Sequence, residues 1–163
     1  MLRIYIGKSA SGKDYFLRKD LKKGFNPVIS YTTRPIRKNE RDGIDYNFVS
    51  KEKFFTLKQC GNIIESRAYD TLVDNVSDIW YYGTPKIKQF TRNYVCIVDI
   101  DGAESLIKAY GADNCDIRYI FATDETRTSR AVKRGSFNQT EWNRRLKDDD
   151  VKFSIERLRN LAK

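Results

Sequence analysis

The chain has 163 residues and no histidine, and that absence removes a group of mechanisms at once. A Ser-His-Asp or Cys-His nucleophile, an imidazole acid or base and a histidine-bound zinc are all excluded. Cysteine is scarce. Cys60, Cys96 and Cys115 stand far apart, without the close pairs of a metal site. Three such thiols suit a reduced, cytoplasmic protein better than a disulfide scaffold. Long apolar runs are missing as well. None approaches the ~18 residues of a membrane span, and the N-terminus lacks the pattern of a secretory signal. No membrane partner is expected.

What the chain does contain is ordinary hydrophobic content, 40%, and a net charge of +9. The length suits one domain with a proper core. The charge is uneven: residues 1–41 carry +8, residues 42–125 carry −5 and residues 126–163 carry +6. A nucleic-acid binder can have such ends, but no recognition motif accompanies them, so no nucleic-acid partner is expected. Basic ends that close on a polyphosphate fit equally well.

Apolar periodicity predicts a buried strand at Leu2–Ile6 and a helix over Lys13–Lys23, stopped by Gly24. Val28-Ile29 begins a second strand and Tyr46–Val49 forms a third. Ser50 caps a helix running to about Lys58, and Asn62–Glu65 returns as a strand. Residues 66–79 show no clear period, and Trp80-Tyr81-Tyr82 suits an edge or hairpin strand. Thr84-Pro85 suits a helix start. The strongest strand signal is Tyr94–Asp101, apolar on both faces as in a central parallel strand. A helix near 102–110, a strand at 117–121 and basic helices over 125–134 and 140–160 follow. The alternation predicts an α/β fold with a parallel sheet flanked by helices.

Gly7-Lys8-Ser9-Ala10-Ser11-Gly12-Lys13 fits G-x-x-x-x-G-K between a strand and a helix, the context in which that spacing cradles phosphates. Backbone N–H groups and the helix N-terminus supply the anion site, and Lys13 reaches the β- and γ-phosphates. Where a serine or threonine would ligate Mg²⁺, this chain has Asp14. Its carboxylate is either a hard-oxygen metal ligand or a helix-start charge favoured by the macrodipole.

The run from Ser30 to Ser50, SYTTRPIRKNERDGIDYNFVS, resembles the guanylate kinase signature S-x-T-T-R-x-x-R-x-x-E-x-(D/N)-G-x-(D/E)-Y-x-F-V-S. The resemblance implies that Arg34, Arg37 and Tyr46 bind the acceptor phosphate, with Glu40 in the same site, and that Ser30 reaches guanine. Glu65 matches the carboxylate that reads the base. Tyr82-Gly83-Thr84 resembles the Y-G-S/T element whose tyrosine contacts the same phosphate, and Asp101 matches an acidic residue beside the nucleotide. Asp99 is either a strand-end carboxylate that helps place Mg²⁺ or a cap for the next helix. Arg130-Ala131-Val132-Lys133-Arg134-Gly135 resembles the lid motif R-x-x-x-R-G, and Arg144-Arg145-Leu146 the later N-x-R-L. This implies that Arg130, Arg134 and Arg145 close over the transferring phosphoryl group.

The resemblance covers about residues 1–150. It implies a P-loop core of residues 1–30, 86–124 and 146–163, a nucleoside-monophosphate subdomain over 31–85 and a lid over 125–145. The implied reaction is Mg·ATP plus GMP (or dGMP) to ADP plus GDP, by a monomer or homodimer. The stretch between Glu65 and Tyr82 is longer than in typical members. Members also usually continue past the lid return into a strand and helix that help hold adenine. These departures motivate two alternatives: a kinase for a different or modified monophosphate, and a catalytically inactive binding module.

Overall fold

The computed structural model describes residues 1–73, 76–133 and 137–161. The chain order is β1 (Leu2–Ile6), α1 (Lys13–Leu21), β2 (Asn26–Pro27), β3 (Tyr31–Thr32), β4 (Asn47–Phe48), α2 (Lys51–Gln59) and β5 (Ile63–Val73). Then come β6 (Val76–Pro85), β7 (Tyr94–Ile97), α3 (Ile100–Tyr110), β8 (Cys115–Tyr119), α4 (Asp124–Lys133), α5 (Gln139–Lys152) and α6 (Ile155–Leu161). Two compact units result: Met1–Asn26 with Arg92–Lys163, and Pro27–Thr91.

The first unit is built on a sheet of order β2-β7-β1-β8, in which β1 runs parallel to both β7 and β8. The central position of β1 explains its apolar run, broken only by the ion-paired Arg3: Leu2, Ile4, Tyr5 and Ile6 are all buried, on both faces. Ile100, Ala103 and Leu106 bring the buried stripe of α3 onto this core. At its edge Asp20, buried near the end of α1, accepts hydrogen bonds from Tyr5 Oη (2.6 Å) and Arg3 Nη1 (3.0 Å). Burial opposes the Asp20 charge, and those two donors outweigh it, so the carboxyl lies below its ordinary value.

Four boundaries differ from the sequence expectation here. The second strand is Asn26–Pro27, not Val28-Ile29. The Tyr94–Asp101 strand stops at Ile97 because Asp99 accepts from Gly102 N (3.0 Å) and caps α3, so Asp101 stands in a helix. The strand at 117–121 lies at Cys115–Tyr119. The helix over 140–160 breaks after Lys152, where Phe153 turns inward and Ser154 Oγ accepts from Arg157 N (3.4 Å).

The second unit carries a sheet of order β4-β3-β6-β5, with β3–β6 and β5–β6 antiparallel. Ser50 caps α2 as its sequence predicts, accepting from Lys53 N (3.2 Å). Of residues 66–79, expected to be irregular, 66–73 lie in β5 and 76–79 in β6, antiparallel strands of 11 and 10 residues; residues 74 and 75 lie outside the described residues. Polar side chains occur on both faces of this ribbon, so the period-two signal of a half-buried strand is absent. Thr84-Pro85 ends β6 and starts no helix: Thr84 pairs with Glu65, Pro85 with Ile63, and Lys86 N extends the contact to Asn62 O (2.8 Å).

The register slips between Ile63 and Glu65, leaving Ile64 as a bulge. The slip turns Ile63 toward α2 and Gly83, while Glu65 turns to the opposite face beside the Thr84 hydroxyl. Without it, both side chains would share one face.

Candidate active site

In the first unit, the segment Gly7–Lys13 bends between β1 and α1. Gly7 has φ 151°, and a Cβ there would meet Ile120 O at 2.5 Å, so only glycine fits. Gly12, at φ 101°, is the N-cap of α1, and Ala10 is also left-handed at φ 58°. Lys13 Nζ folds back onto Gly7 O (2.7 Å) and Lys8 O (3.0 Å).

Three consecutive loop carbonyls face arginines of α4. Ser9 O accepts from Arg127 Nε (2.8 Å); Ala10 O and Ser11 O accept from Arg130 Nη1 (3.3 and 2.7 Å). A planar trans peptide points its N–H opposite its carbonyl. The Ala10 and Gly12 N–H groups are therefore aimed away from the arginines, the concave arrangement that receives an anion.

Asp14 is exposed in the first turn of α1. Asp99 serves as the α3 cap, with Lys152 Nζ 3.5 Å from its other oxygen. Among the described residues no three His, Cys, Asp or Glu side chains gather as a metal cage. Asp14 and Asp99 are hard oxygen donors of the kind that Mg²⁺ accepts. Asp101 pairs with Arg157 (2.6 Å). Arg145 shares Glu141 with Arg144, each pair at 2.8 Å. Held chiefly by Arg144, then by Arg145, the Glu141 carboxyl is lowered to about 2. Arg134 lies outside the described residues.

The second unit gathers the signature side chains. Arg34 is 3% exposed. It donates to Tyr82 Oη from Nε (3.2 Å), and to Glu40 from Nη1 (2.9 Å) and Nη2 (2.8 Å). Its guanidinium carbon lies 5.4 Å from the Tyr46 ring centroid, and the Tyr46 and Tyr82 rings are 5.8 Å apart. Bonds from Arg34 and from Arg37 N hold the Glu40 carboxyl below its ordinary range against partial burial.

Two residues along the same face of β6, Thr84 Oγ1 donates to buried Glu65 (2.8 Å), which also meets Arg67 Nη2 (3.2 Å). Ser30 is half-buried; its carbonyl accepts from Asn47 N (2.9 Å). The Arg37 side chain is exposed. Arg34, Glu40, Tyr46 and Tyr82 thus form one cluster, with Glu65 and Thr84 next to it on the sheet. Asp101 belongs to the first unit.

The guanylate kinase family profile matches residues 2–156. The chain belongs to the guanylate kinase family. It is 34% identical to the guanylate kinase of Helicobacter pylori (strain 26695) over 154 residues, 89% of this chain and 69% of the relative. It is 29% identical to that of Clostridioides difficile (strain 630) over 153 residues, 90% of this chain and 70% of the relative. The crystal structure of guanylate kinase from Anaplasma phagocytophilum matches with a TM-score of 0.58 at 26% identity, covering 80% of this chain and 66% of that one. This guanylate kinase homologue has the P-loop nucleotide-kinase fold, with a parallel sheet flanked by helices.

Sequence reasoning passed over two residues that hold the Gly7–Lys13 loop of this family member, one on α4 and one on α5. Arg127 is wholly buried and pairs with Asp124 (2.6 Å) and with Asp149, which is 7% exposed and accepts from Ser9 N (2.8 Å). The available signal was Arg127 three residues before Arg130, one helical turn from a motif arginine.

Proposed function

We propose that this chain transfers the γ-phosphoryl group of ATP to GMP, or dGMP, giving ADP and GDP. The observation that carries the reading is the acceptor cluster: a buried carboxylate, Glu65, bonded to Thr84, two residues along β6 from half-buried Tyr82 and its partner, buried Arg34. Guanine presents N–H donors at N1 and N2 that a carboxylate accepts together. Adenine presents an acceptor at N1, which Glu65 repels. Arg34 and Tyr82, with Arg37 and Tyr46, receive the acceptor phosphate.

The donor's phosphates lie in the loop nest, and Lys13 exchanges its two carbonyls for phosphate oxygens. Asp14 would hold Mg²⁺ accompanying ATP, directly or through water, and the ion would supply neutralising charge. An acceptor phosphate oxygen forms its bond to the γ-phosphorus as the bond to the ADP oxygen breaks. That oxygen is already anionic, so no base is required, and a chain without histidine lacks nothing for this step. Arg130, Arg134 and Arg145 stabilise charge on the transferring group. The three widely spaced cysteines suit a cytoplasmic setting, and no described helix is long and apolar enough to cross a membrane.

A coupled assay with ATP, Mg²⁺ and a panel of monophosphates tests this. Turnover should be greatest with GMP or dGMP, and Lys13→Ala and Arg34→Ala should each cost several orders of magnitude in kcat/KM. Absence of turnover with guanine monophosphates, or near-normal turnover in either variant, overturns it.

A further inference from the structure

We infer that Arg127 and Asp149 are positioning residues of the donor site, a buried clasp that holds both backbone groups of Ser9 and so sets the arc of the phosphate loop. The inference rests on the reading of that loop as the ATP site. The Ser9 N–H donates to Asp149 Oδ2 (2.8 Å) and its hydroxyl to Oδ1 (3.3 Å). The Ser9 carbonyl accepts from Arg127 Nε (2.8 Å), and Arg127 Nη2 closes the ring on the same Asp149 oxygen. One ion pair therefore occupies the N–H and the C=O of a single loop residue.

Arg127 has no exposed surface, so water cannot compete for these bonds. Its own position is set by Asp124 (2.6 Å) and by the Trp142 ring, 5.8 Å from its guanidinium carbon. Trp142 is anchored in turn by Nε1 to Thr128 Oγ1 (3.0 Å). A buried ion pair is a poor device for stability alone, because apolar side chains of similar volume often serve as well. Apolar side chains, however, cannot hold a backbone N–H and C=O.

The next residue shows why the loop needs holding. Ala10 sits at φ 58°, a conformation that persists only where the surroundings impose it. The clasp holds its N-terminal side, and Arg130 holds the Ala10 and Ser11 carbonyls. Arg130 is the residue assigned above to the transferring phosphoryl group. Arg127, being buried, keeps the loop in shape when Arg130 turns to the nucleotide. Loosening the clasp should therefore weaken ATP and ADP binding and leave GMP binding alone.

The test replaces the pair by apolar side chains, Arg127→Met with Asp149→Leu, and compares it with Asp149→Asn, whose single oxygen can still accept from Ser9 N and Arg127. KM for ATP and GMP, ADP affinity by calorimetry and Tm are measured. The double variant should melt near the wild type, raise KM for ATP and the Kd of ADP at least tenfold, and leave KM for GMP within twofold. Asp149→Asn should stay within threefold of wild type throughout. A folded double variant with unchanged ADP affinity overturns the clasp, as does an Asp149→Asn protein as impaired as the double variant. Should the double variant not fold, Asp149→Ala, in which Arg127 keeps Asp124, is judged by the same thresholds. A wild-type protein that neither binds ADP nor phosphorylates GMP instead overturns the functional reading beneath it.

Discussion

Replacing Gly83 by alanine should disturb both the stability of the second unit and its acceptor cluster. Gly83 stands in β6 between Tyr82 and Thr84, and strand alternation turns its α-carbon to the opposite face, toward α2. A methyl group there would lie 2.7 Å from Cγ2 of Ile63 and 3.0 and 3.1 Å from Cζ and Cε2 of Phe54. Carbon atoms rest about 3.5–4.0 Å apart, so a retreat of about 1 Å is required. Phe54 is 0% exposed and Ile63 7% exposed, which leaves little room for it. Overpacking of this kind costs about 1–3 kcal/mol.

If the strand yields instead, it carries Tyr82 with it. The Tyr82–Arg34 bond, at 3.2 Å, is already at the long end of the range for such bonds. Gly83→Ala should therefore lower the urea midpoint and weaken GMP binding by calorimetry, with ADP affinity unchanged. Adding Ile63→Ala removes the nearest clashing atom. The pair should then be less destabilised than the sum of the single changes, a coupling of about 0.5–3 kcal/mol. A Gly83→Ala protein within about 0.5 kcal/mol of wild type and with normal GMP affinity would refute the packing argument.

Glu40→Gln should break the two-point grip on Arg34 and lower kcat/KM for GMP by about 10- to 100-fold, equivalent to about 1.4–2.7 kcal/mol; an unchanged value would show that Arg34 needs no partner. Because the Glu40 carboxyl is held below its unfolded value of about 4.3, its contribution to stability is present above that pH and is lost as pH falls through the folded value. Urea midpoints measured below about pH 4.3 should fall more steeply in wild type than in Glu40→Gln. Tyr5 titrates the other way: burial, then its bond to Asp20, pushes the phenol up to about 12. Its stabilisation is whole below the unfolded value of about 10 and is lost as pH rises through about 12. Ultraviolet titration should show a late phenol ionisation near pH 12, and Tyr5→Phe should remove that step. Ionisation of every tyrosine near pH 10 in the folded protein would contradict the buried Tyr5–Asp20 bond.

The elements legible in the sequence are those whose cause is local. Gly7–Lys13 follows a strand and opens a helix within a few residues, and its backbone angles agree with its glycines. Ser50 heads α2 because its hydroxyl reaches an N–H three residues on. The strand readings at Asn62–Glu65 and Trp80-Tyr81-Tyr82 overlap β5 and β6, whereas residues 66–73 and 76–79 were not legible as strand because polar residues such as Ser66, Arg67 and Asp70 fall on both faces and leave no alternation to detect. Thr84-Pro85 imitates a helix start, and only the Glu65 carboxylate, 19 residues away, shows why threonine stands there. Asp101 was expected at the end of a strand; the Asp99 cap starts α3 early and hands Asp101 to Arg157, 56 residues distant.

By itself the sequence determined the chemistry on offer: a phosphate loop, a guanylate kinase signature and no imidazole. The reason is that backbone conformation and motif spacing are properties of neighbouring residues. Tertiary structure alone decided how those groups are held. Ser9 meets Arg127 across 118 residues and Asp149 across 140; the spacing to Arg130 sets Arg127 beside a motif arginine, but local sequence does not name Ser9 or Asp149 as its partners. Burial makes the difference, because the same two side chains in water would form an ordinary surface pair of little consequence.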